Sequence, residues 1–304
     1  MQSDVPPLVT VVLPVYNAGK HLRLAVLSIL EQTFSNWELL IVDDGSADNA
    51  LKDIVDISDA RVHVFWDGEN KGLAARLNEG IDLARGRYFA RMDQDDISHP
   101  ERLARQLASL QDDKLLDLVG VHCLTISENN EIVGILAGQE SHEDICVRPW
   151  LGFHLPHPTW MGKTSWFREY RYTLPEPYCC EDQELLLRSH AVSRFHIVPE
   201  FLLAYRVRDR LDLKKAWRTR RTLHKFQRKY FFNNAQYLYM VLASASFFLR
   251  VVRDILVLAK QVGSCKVSKH STRVAISYAD AASWRQIIQH LHEMKITVKP
   301  TMSQ

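Results

Sequence analysis

Three polar clusters, each set just past an apolar run, are the parts of this sequence best equipped for chemistry: Tyr16-Asn17, Asp43-Asp44-Gly45-Ser46 and Asp93-Gln94-Asp95-Asp96. Asp93 and Asp95 are carboxylates two residues apart. Hard divalent ions such as Mg²⁺ and Mn²⁺ take oxygen ligands and often share them with substrate phosphates. A strand-end Asp-x-Asp can hold such an ion while diphosphate oxygens complete its shell, and the ion offsets charge on a departing diphosphate. The same tripeptide also suits a solvated turn, with Asp96 capping the next helix. A carboxylate in Asp43-Asp44-Gly45-Ser46 can accept the imide N–H of a uracil or the hydroxyls of a ribose, and Gly45 lets backbone approach closely. The plainer alternative is helix capping by Ser46 or Asp48. Tyr16, two residues after Pro14, can stack on a base or simply pack.

These clusters need a scaffold that brings them to one place. Leu8–Leu13, Trp37–Val42, Arg61–Trp66, Arg87–Met92 and Leu115–Val121 read as strands. Lys20–Gln32, Ala50–Ile57, Lys71–Arg85 and Pro100–Gln111 carry helical spacing, and Gly86 is placed to cap the third helix. Strands alternating with helices predict a parallel α/β sheet with helices on both faces. Ligands bind beyond the carboxyl ends of such strands, which is where the three clusters fall. Further on, a hairpin is expected over Ile126–Ile135, turning at Asn129-Asn130. Ser141–Trp150 and Glu181–His190 read as helices, Pro156-His157-Pro158-Thr159 as extended, and Phe195–Tyr205 as one or two short strands.

The chain has 304 residues, 46% hydrophobic and 24% charged, enough for a sizeable core and unlike a disordered or collagenous chain. A formal net charge of +2 does not suggest a nucleic-acid binder. Five cysteines without framework spacing, Cys123, Cys146, Cys179, Cys180 and Cys265, read as free thiols in a reducing compartment. The adjacent Cys179-Cys180 lacks redox-motif spacing and reads as packing. Met1 to Pro7 carries Asp4 and two prolines rather than a basic start and an apolar run, so no secretory signal is expected.

The run Val11-Val12-Leu13-Pro14-Val15-Tyr16-Asn17 resembles the opening of the family 2 glycosyltransferases with a GT-A fold. Asp43-Asp44-Gly45-Ser46, Asn70-Lys71-Gly72-Leu73-Ala74-Ala75-Arg76-Leu77-Asn78, Ala84-Arg85-Gly86, Asp93-Gln94-Asp95-Asp96 and Pro100-Glu101-Arg102-Leu103 follow in the family's order and separation. The likeness is dense over 8–111 and returns at His157-Pro158-Thr159, Glu181-Asp182-Gln183-Glu184-Leu185 and Tyr205-Arg206; roughly the last third is uncovered. It implies a hexose-transferring, inverting, metal-dependent enzyme of the bacterial surface-polysaccharide type. The donor would be a nucleotide-diphosphate sugar, UDP the expected nucleotide, and the acceptor a saccharide or lipid-linked saccharide. By the same likeness Asp44 binds the base with Tyr16 stacked near it, and Pro14, Asp43 and Arg76 line that pocket. Asp93 contacts the ribose or the metal shell, and Asp95 ligates Mn²⁺ or Mg²⁺. Asp182 is the general base, with Glu181 its rival, and His157 stands on the acceptor side. Without the upstream motifs, Glu181-Asp182 would read as the acidic first turn of a helix. One departure stands out. Family members often carry a histidine shortly after Tyr-Arg, where this chain has Arg208, which cannot ligate a metal but can pair with diphosphate oxygens. That departure is the support for an alternative, a non-catalytic sugar-nucleotide-binding or membrane-scaffolding subunit.

The resemblance and composition together divide the chain into a catalytic unit, 1–206, and a helical extension, 207–304. Within the first, 8–111 is the donor half and 112–206 the acceptor half. Arg206 to Lys229 holds eleven basic residues against Asp209 and Asp212, and Tyr237–Leu258 follows as an apolar helix. A last helix is expected over Ala279–Met294. A basic, aromatic-rich amphipathic stretch suits the surface of an anionic membrane, and packing on the catalytic unit or in an oligomer suits it equally. The expected location is cytoplasmic, with attachment to the inner membrane face as the open alternative.

Overall fold

A computed structural model of the chain describes residues 6–207, 213–261 and 277–294. The first half runs β1 (Val9–Val15), α1 (Leu22–Leu30), β2 (Trp37–Asp43), β3 (Val62–Phe65), α2 (Leu73–Leu83) and β4 (Tyr88–Arg91). β1 and β2 are buried along their whole length, as continuous apolar strands between two helical layers must be. The ladders β3–β2, β2–β1 and β1–β4 are all parallel. The second half runs β5 (Ile97–Ser98), α3 (Arg102–Asp112), β6 (Leu118–Ile126), β7 (Ile132–Leu136), α4 (His142–Cys146), β8 (Met161–Lys163), α5 (Thr164–Glu169), α6 (Glu181–Ser189) and β9 (Phe195–Arg206). The helical extension adds α7 (Leu213–Asn233), α8 (Tyr237–Gln261) and α9 (Tyr278–Glu293). The sheet order is β3-β2-β1-β4-β8-β6-β9-β5, with β7 paired to β6. β8 is antiparallel to both of its neighbours, while β6 and β9 form a long parallel ladder. The expected α/β architecture is therefore present and mostly parallel.

Helices cover both faces. Leu22 and Val26 of α1 and Leu103 of α3 pack with Val11 and Ile41 on one face. Leu77 of α2, Phe167 of α5 and Leu186 of α6 pack with Val12 and Leu40 on the other. Phe231 of α7 and Ala243 of α8 are buried in this second layer, and Gln227 Nε2 donates to the Pro149 carbonyl at 3.1 Å. α9 seats Trp284 and Leu291 against Leu24, Ile97 and Leu124, with Trp284 Nε1 donating to the Phe201 carbonyl. Packing on the rest of the fold thus holds for one face of the α7–α8 pair.

Several details differ from the sequence expectation. Ala50–Ile54 makes only a 3₁₀ turn, not a longer helix. His157–Thr159, expected extended, is a 3₁₀ turn with Pro158 in its opening positions, where no N–H is required. Phe195–Arg206 is one strand, and the register breaks on β6 near its Pro199, which has no donor for a regular ladder. β5, β8 and α5 are too short to carry a periodic signal. Cys123, Cys146, Cys179 and Cys180 are free thiols, while Cys265 lies outside the described residues.

Gly86 is no left-handed cap, since Ala84 closes α2 in an extended conformation. Its constraint is close approach. A Cβ there would lie 2.6 Å from the Thr10 backbone nitrogen and 2.8 Å from the Val9 carbonyl carbon. Its N–H donates to Thr10 Oγ1, which in turn donates to buried Glu38. Gly86→Ala should lower stability by about 1–3 kcal/mol through backbone displacement. The check is the thermal midpoint of the variant beside wild type.

Candidate active site

The carboxyl ends of β2, β1 and β4 lie side by side, and their loops are tied to one another. Gln94, the middle residue of Asp-x-Asp, accepts from the Tyr16 N–H at 2.6 Å and donates to the Tyr16 carbonyl at 3.0 Å. Asn17 Oδ1 accepts from the N–H groups of Ala47 and Asp48, and Asn17 N–H donates to Ser46 Oγ. Asp44 N–H donates to the Val15 carbonyl. Each loop is therefore held by its neighbour across the sheet edge.

A cleft of about 770 Å³ opens above these ends, bordered by Pro14, Tyr16, Asp44, Arg76, Asp93 and Asp95. A second cleft of about 530 Å³ is bordered by His157, Glu181 and Asp182. The two share Leu73, Arg91, Asp93, Glu176, Tyr205 and Lys215, so they meet. Of the residues expected at the site, only Asp43 stands outside both clefts. As the last residue of β2 it is fully buried, and its Oδ2 accepts from the N–H groups of Gly45 and Ser46. That corrects its expected place at the donor pocket: it shapes the turn from below.

Asp44 and Arg76 border the cleft but are also structural. Asp44 accepts from the N–H groups of Lys71 and Gly72 and from Arg76 Nε at 3.0 Å. The buried Arg76 guanidinium also meets Asp67, Glu79 and the Glu69 carbonyl. The hydrogen bond to Asp67 leads these contacts in raising the Arg76 pKa, while burial works against it. Glu176, which borders both clefts, accepts from the Ala74 N–H in the first turn of α2.

The acidic loop rests on arginines. Arg206 Nε donates to the Asp95 carbonyl at 2.7 Å, its N–H to Asp96 Oδ1, and its Nη atoms to Ser127 and Asn130. Arg102, fully buried, holds the Arg91 carbonyl from below. Burial, with Asp93 and Asp95 nearby, pushes the Asp96 carboxyl well above its ordinary range. Arg91 lies between the two clefts with its Nη2 2.7 Å from Asp93. Burial opposes its charge, yet Asp93, Tyr172, Glu181 and Asp182 raise its pKa. Its Nε and Nη1 are buried without a hydrogen-bond partner. Arg91, Glu176 and Lys215 carried no motif signal in the sequence, whereas Gln94 and Tyr205 stood inside motifs without a role of their own.

On the second side, Glu181 and Asp182 open α6, where the helix dipole favours acids. Gln183 grips the Phe153 backbone through both amide atoms and donates to Asp182 Oδ2 at 3.1 Å. His157 Nε2 lies 2.7 Å from the Tyr172 hydroxyl, and Nδ1 lies 3.6 Å from Glu181. With Tyr172 donating to Nε2, the neutral ring carries its proton on Nδ1, which faces Glu181 beyond hydrogen-bond distance. Burial and then Arg91 lower the His157 pKa to about 3, so the ring is neutral and makes no ion pair with Glu181. Arg208 lies outside the described residues.

The sequence model for Glycosyl transferase family 2 matches residues 10–171, more than half of the chain. The chain belongs to this family. It is 27% identical to the uncharacterized glycosyltransferase MJ1057 of Methanocaldococcus jannaschii, over 82% of this chain and 93% of that one. It is 35% identical to the Escherichia coli UDP-Glc:alpha-D-GlcNAc-diphosphoundecaprenol beta-1,3-glucosyltransferase WfgD, over 42% of this chain and 49% of that one. The chain thus spans about half of WfgD, and less than a fifth of some longer relatives. Among solved structures, the mannosyltransferase PcManGT of Pyrobaculum calidifontis, in complex with GDP-Man and Mn²⁺, superposes with a TM-score of 0.55 at 15% identity, over 95% of this chain and 86% of that one. The fold of this family 2 glycosyltransferase is GT-A, as the resemblance implied.

His157 sets a pH dependence with a definite sign. An unfolded histidine titrates near 6.5, the folded one at about 3. Between these values the unfolded chain binds the extra proton, so stability falls as pH falls. For this one group the loss from pH 6.5 to pH 5 is about 2 kcal/mol. Denaturant melts at the two pH values should show a smaller acid loss in His157→Gln than in wild type. An equal loss in both would rule out the buried neutral ring.

Proposed function

We propose that this chain moves a hexose from a UDP-linked donor to a saccharide or lipid-linked saccharide, with inversion, in assembly of a surface polysaccharide. The reading rests on one observation: the strand-end acids and the Glu181-Asp182 pair border clefts that meet at Arg91, Asp93 and Tyr205. WfgD, by its name, takes UDP-Glc and a lipid-diphosphate-linked sugar, which supports the same two classes here. In this reading 8–111 is the donor half, 112–206 the acceptor half and 207–304 the extension.

A divalent cation suits the donor side. Among the described residues no three acidic, histidine or cysteine side chains converge as a cage. Mg²⁺-type sites commonly use one or two carboxylates plus substrate phosphates, which Asp95 and Asp93 can provide. Burial and these two acids together raise the pKa of neighbouring Asp96, as expected where negative charge is crowded. PcManGT is described with Mn²⁺. Once bound, such an ion would offset charge gathering on the departing diphosphate.

The chain's own residues have separate tasks. Tyr16 and Asp44 hold the base, and Asp93 the ribose side. Asp182, oriented by Gln183, accepts the acceptor hydroxyl proton as that oxygen bonds to the anomeric carbon. The bond to the diphosphate breaks on the opposite face, so configuration inverts, and UDP leaves. Neutral His157, backed by the buried Tyr172, gives the acceptor side an uncharged stretch of cleft wall. The alternative of a non-catalytic subunit depends on Arg208, and no described residue favours it.

Transfer assays with Mn²⁺ should show Asp182→Asn slower by about 10²–10⁴-fold, the usual contribution of a general base. UDP binding, read by calorimetry, should persist in that variant. Asp95→Ala should lose turnover and Mn²⁺-dependent UDP binding together. Normal turnover in either variant removes the role given to that residue, and a larger loss in Glu181→Gln than in Asp182→Asn transfers the base to Glu181.

A further inference from the structure

The α7–α8 pair has one face in the core and an opposite face that is open. α7 carries eight basic residues and no acidic one. Arg221, Lys225, Arg228 and Lys229 are exposed on it, at helical spacing, and border a groove of about 490 Å³ with Phe232 and Met240. On α8, Leu238, Val241, Phe248, Val252 and Ile255 recur every three, four or seven residues and are 52–68% exposed. The one acid of α8, Asp254, is paired with Arg220. The basic and apolar stripes meet along the seam. Trp217 and His224 both contact Phe247, His224 stacked at 4.5 Å, and Phe232 meets Tyr237. No helix among the described residues is long and apolar enough to cross a membrane.

We propose that this face docks flat on an anionic lipid bilayer. The α7 cations would meet headgroup phosphates, and the α8 stripe would enter the boundary with the acyl chains. A large exposed apolar stripe signals a covering surface, and the cations beside it specify a negatively charged one. A second copy paired through this face about a two-fold axis would bring basic groove to basic groove, which charge opposes. Lys215, near the start of α7, borders both clefts, so docking brings the cleft mouth beside the bilayer. That benefit to a lipid-linked acceptor rests on the transfer reading above; the docking itself does not.

Flotation of the full chain with phosphatidylcholine vesicles, with and without phosphatidylglycerol, tests it. Wild type should bind the anionic vesicles at least about tenfold more tightly than the neutral ones, from several cations acting together. Arg221→Glu/Lys225→Glu/Arg228→Glu and, separately, Val241→Asp/Phe248→Asp should each lose about tenfold or more of that binding. Both sets alter exposed side chains, so their thermal midpoints should match wild type. Asp182→Asn should float like wild type whatever its turnover, which separates docking from catalysis. Wild type left unbound, or either set binding as wild type does, overturns the proposal. Binding that ignores the apolar substitutions marks a general polyanion site and overturns it too. So does a dimer that Phe248→Asp dissolves while vesicle binding stays absent.

Discussion

Carboxylates can gather at one edge of a sheet only if the protein supplies compensating charge and N–H groups close by. In this chain that requirement organises the site. Arg76 and the turn before α2 hold Asp44, Arg206 holds the backbone of the Asp95 loop, and Arg91 sits beneath Asp93. Burying a guanidinium is unfavourable without acidic partners, so arginines and acids make one another tolerable. Burial and the adjacent acids hold the Asp96 carboxyl above its ordinary range.

Arg91 also connects the two sides. It pairs with Asp93 and lies within the field of Glu181 and Asp182, and it contributes to keeping His157 neutral. Its backbone N–H donates to the Trp160 carbonyl, beside the turn that carries His157. The insertion of β8 between β4 and β6 makes this possible, because it brings the His157 turn alongside β4, the strand that leads into Asp93.

The helical extension shows the same economy of faces. Phe231 and Ala243 complete the core layer over α2 and α6, and the opposite sides of the same helices keep their cations and aliphatic side chains outside. Packing and an open amphipathic face, alternatives in sequence, are here the two sides of one helix pair.

Much was legible in the residues. Alternating apolar periods predicted the strands around the site, because local burial on both sides of a strand leaves a continuous apolar run. The order of the strand-end acids predicted that they would meet. The direction of each side chain was not legible. Asp43 and Asp44 are chemically identical neighbours, yet hydrogen bonds inside one turn bury the first, while Arg76 and the loop before α2 hold the second at the cleft. Arg91 carried no motif of its own, and β8 and α5 were too short for a period. Sequence determined which chemical groups were available and at which strand ends; only tertiary structure decided which faced solvent. Orientation depends on partners dozens of residues away, and no local pattern encodes them.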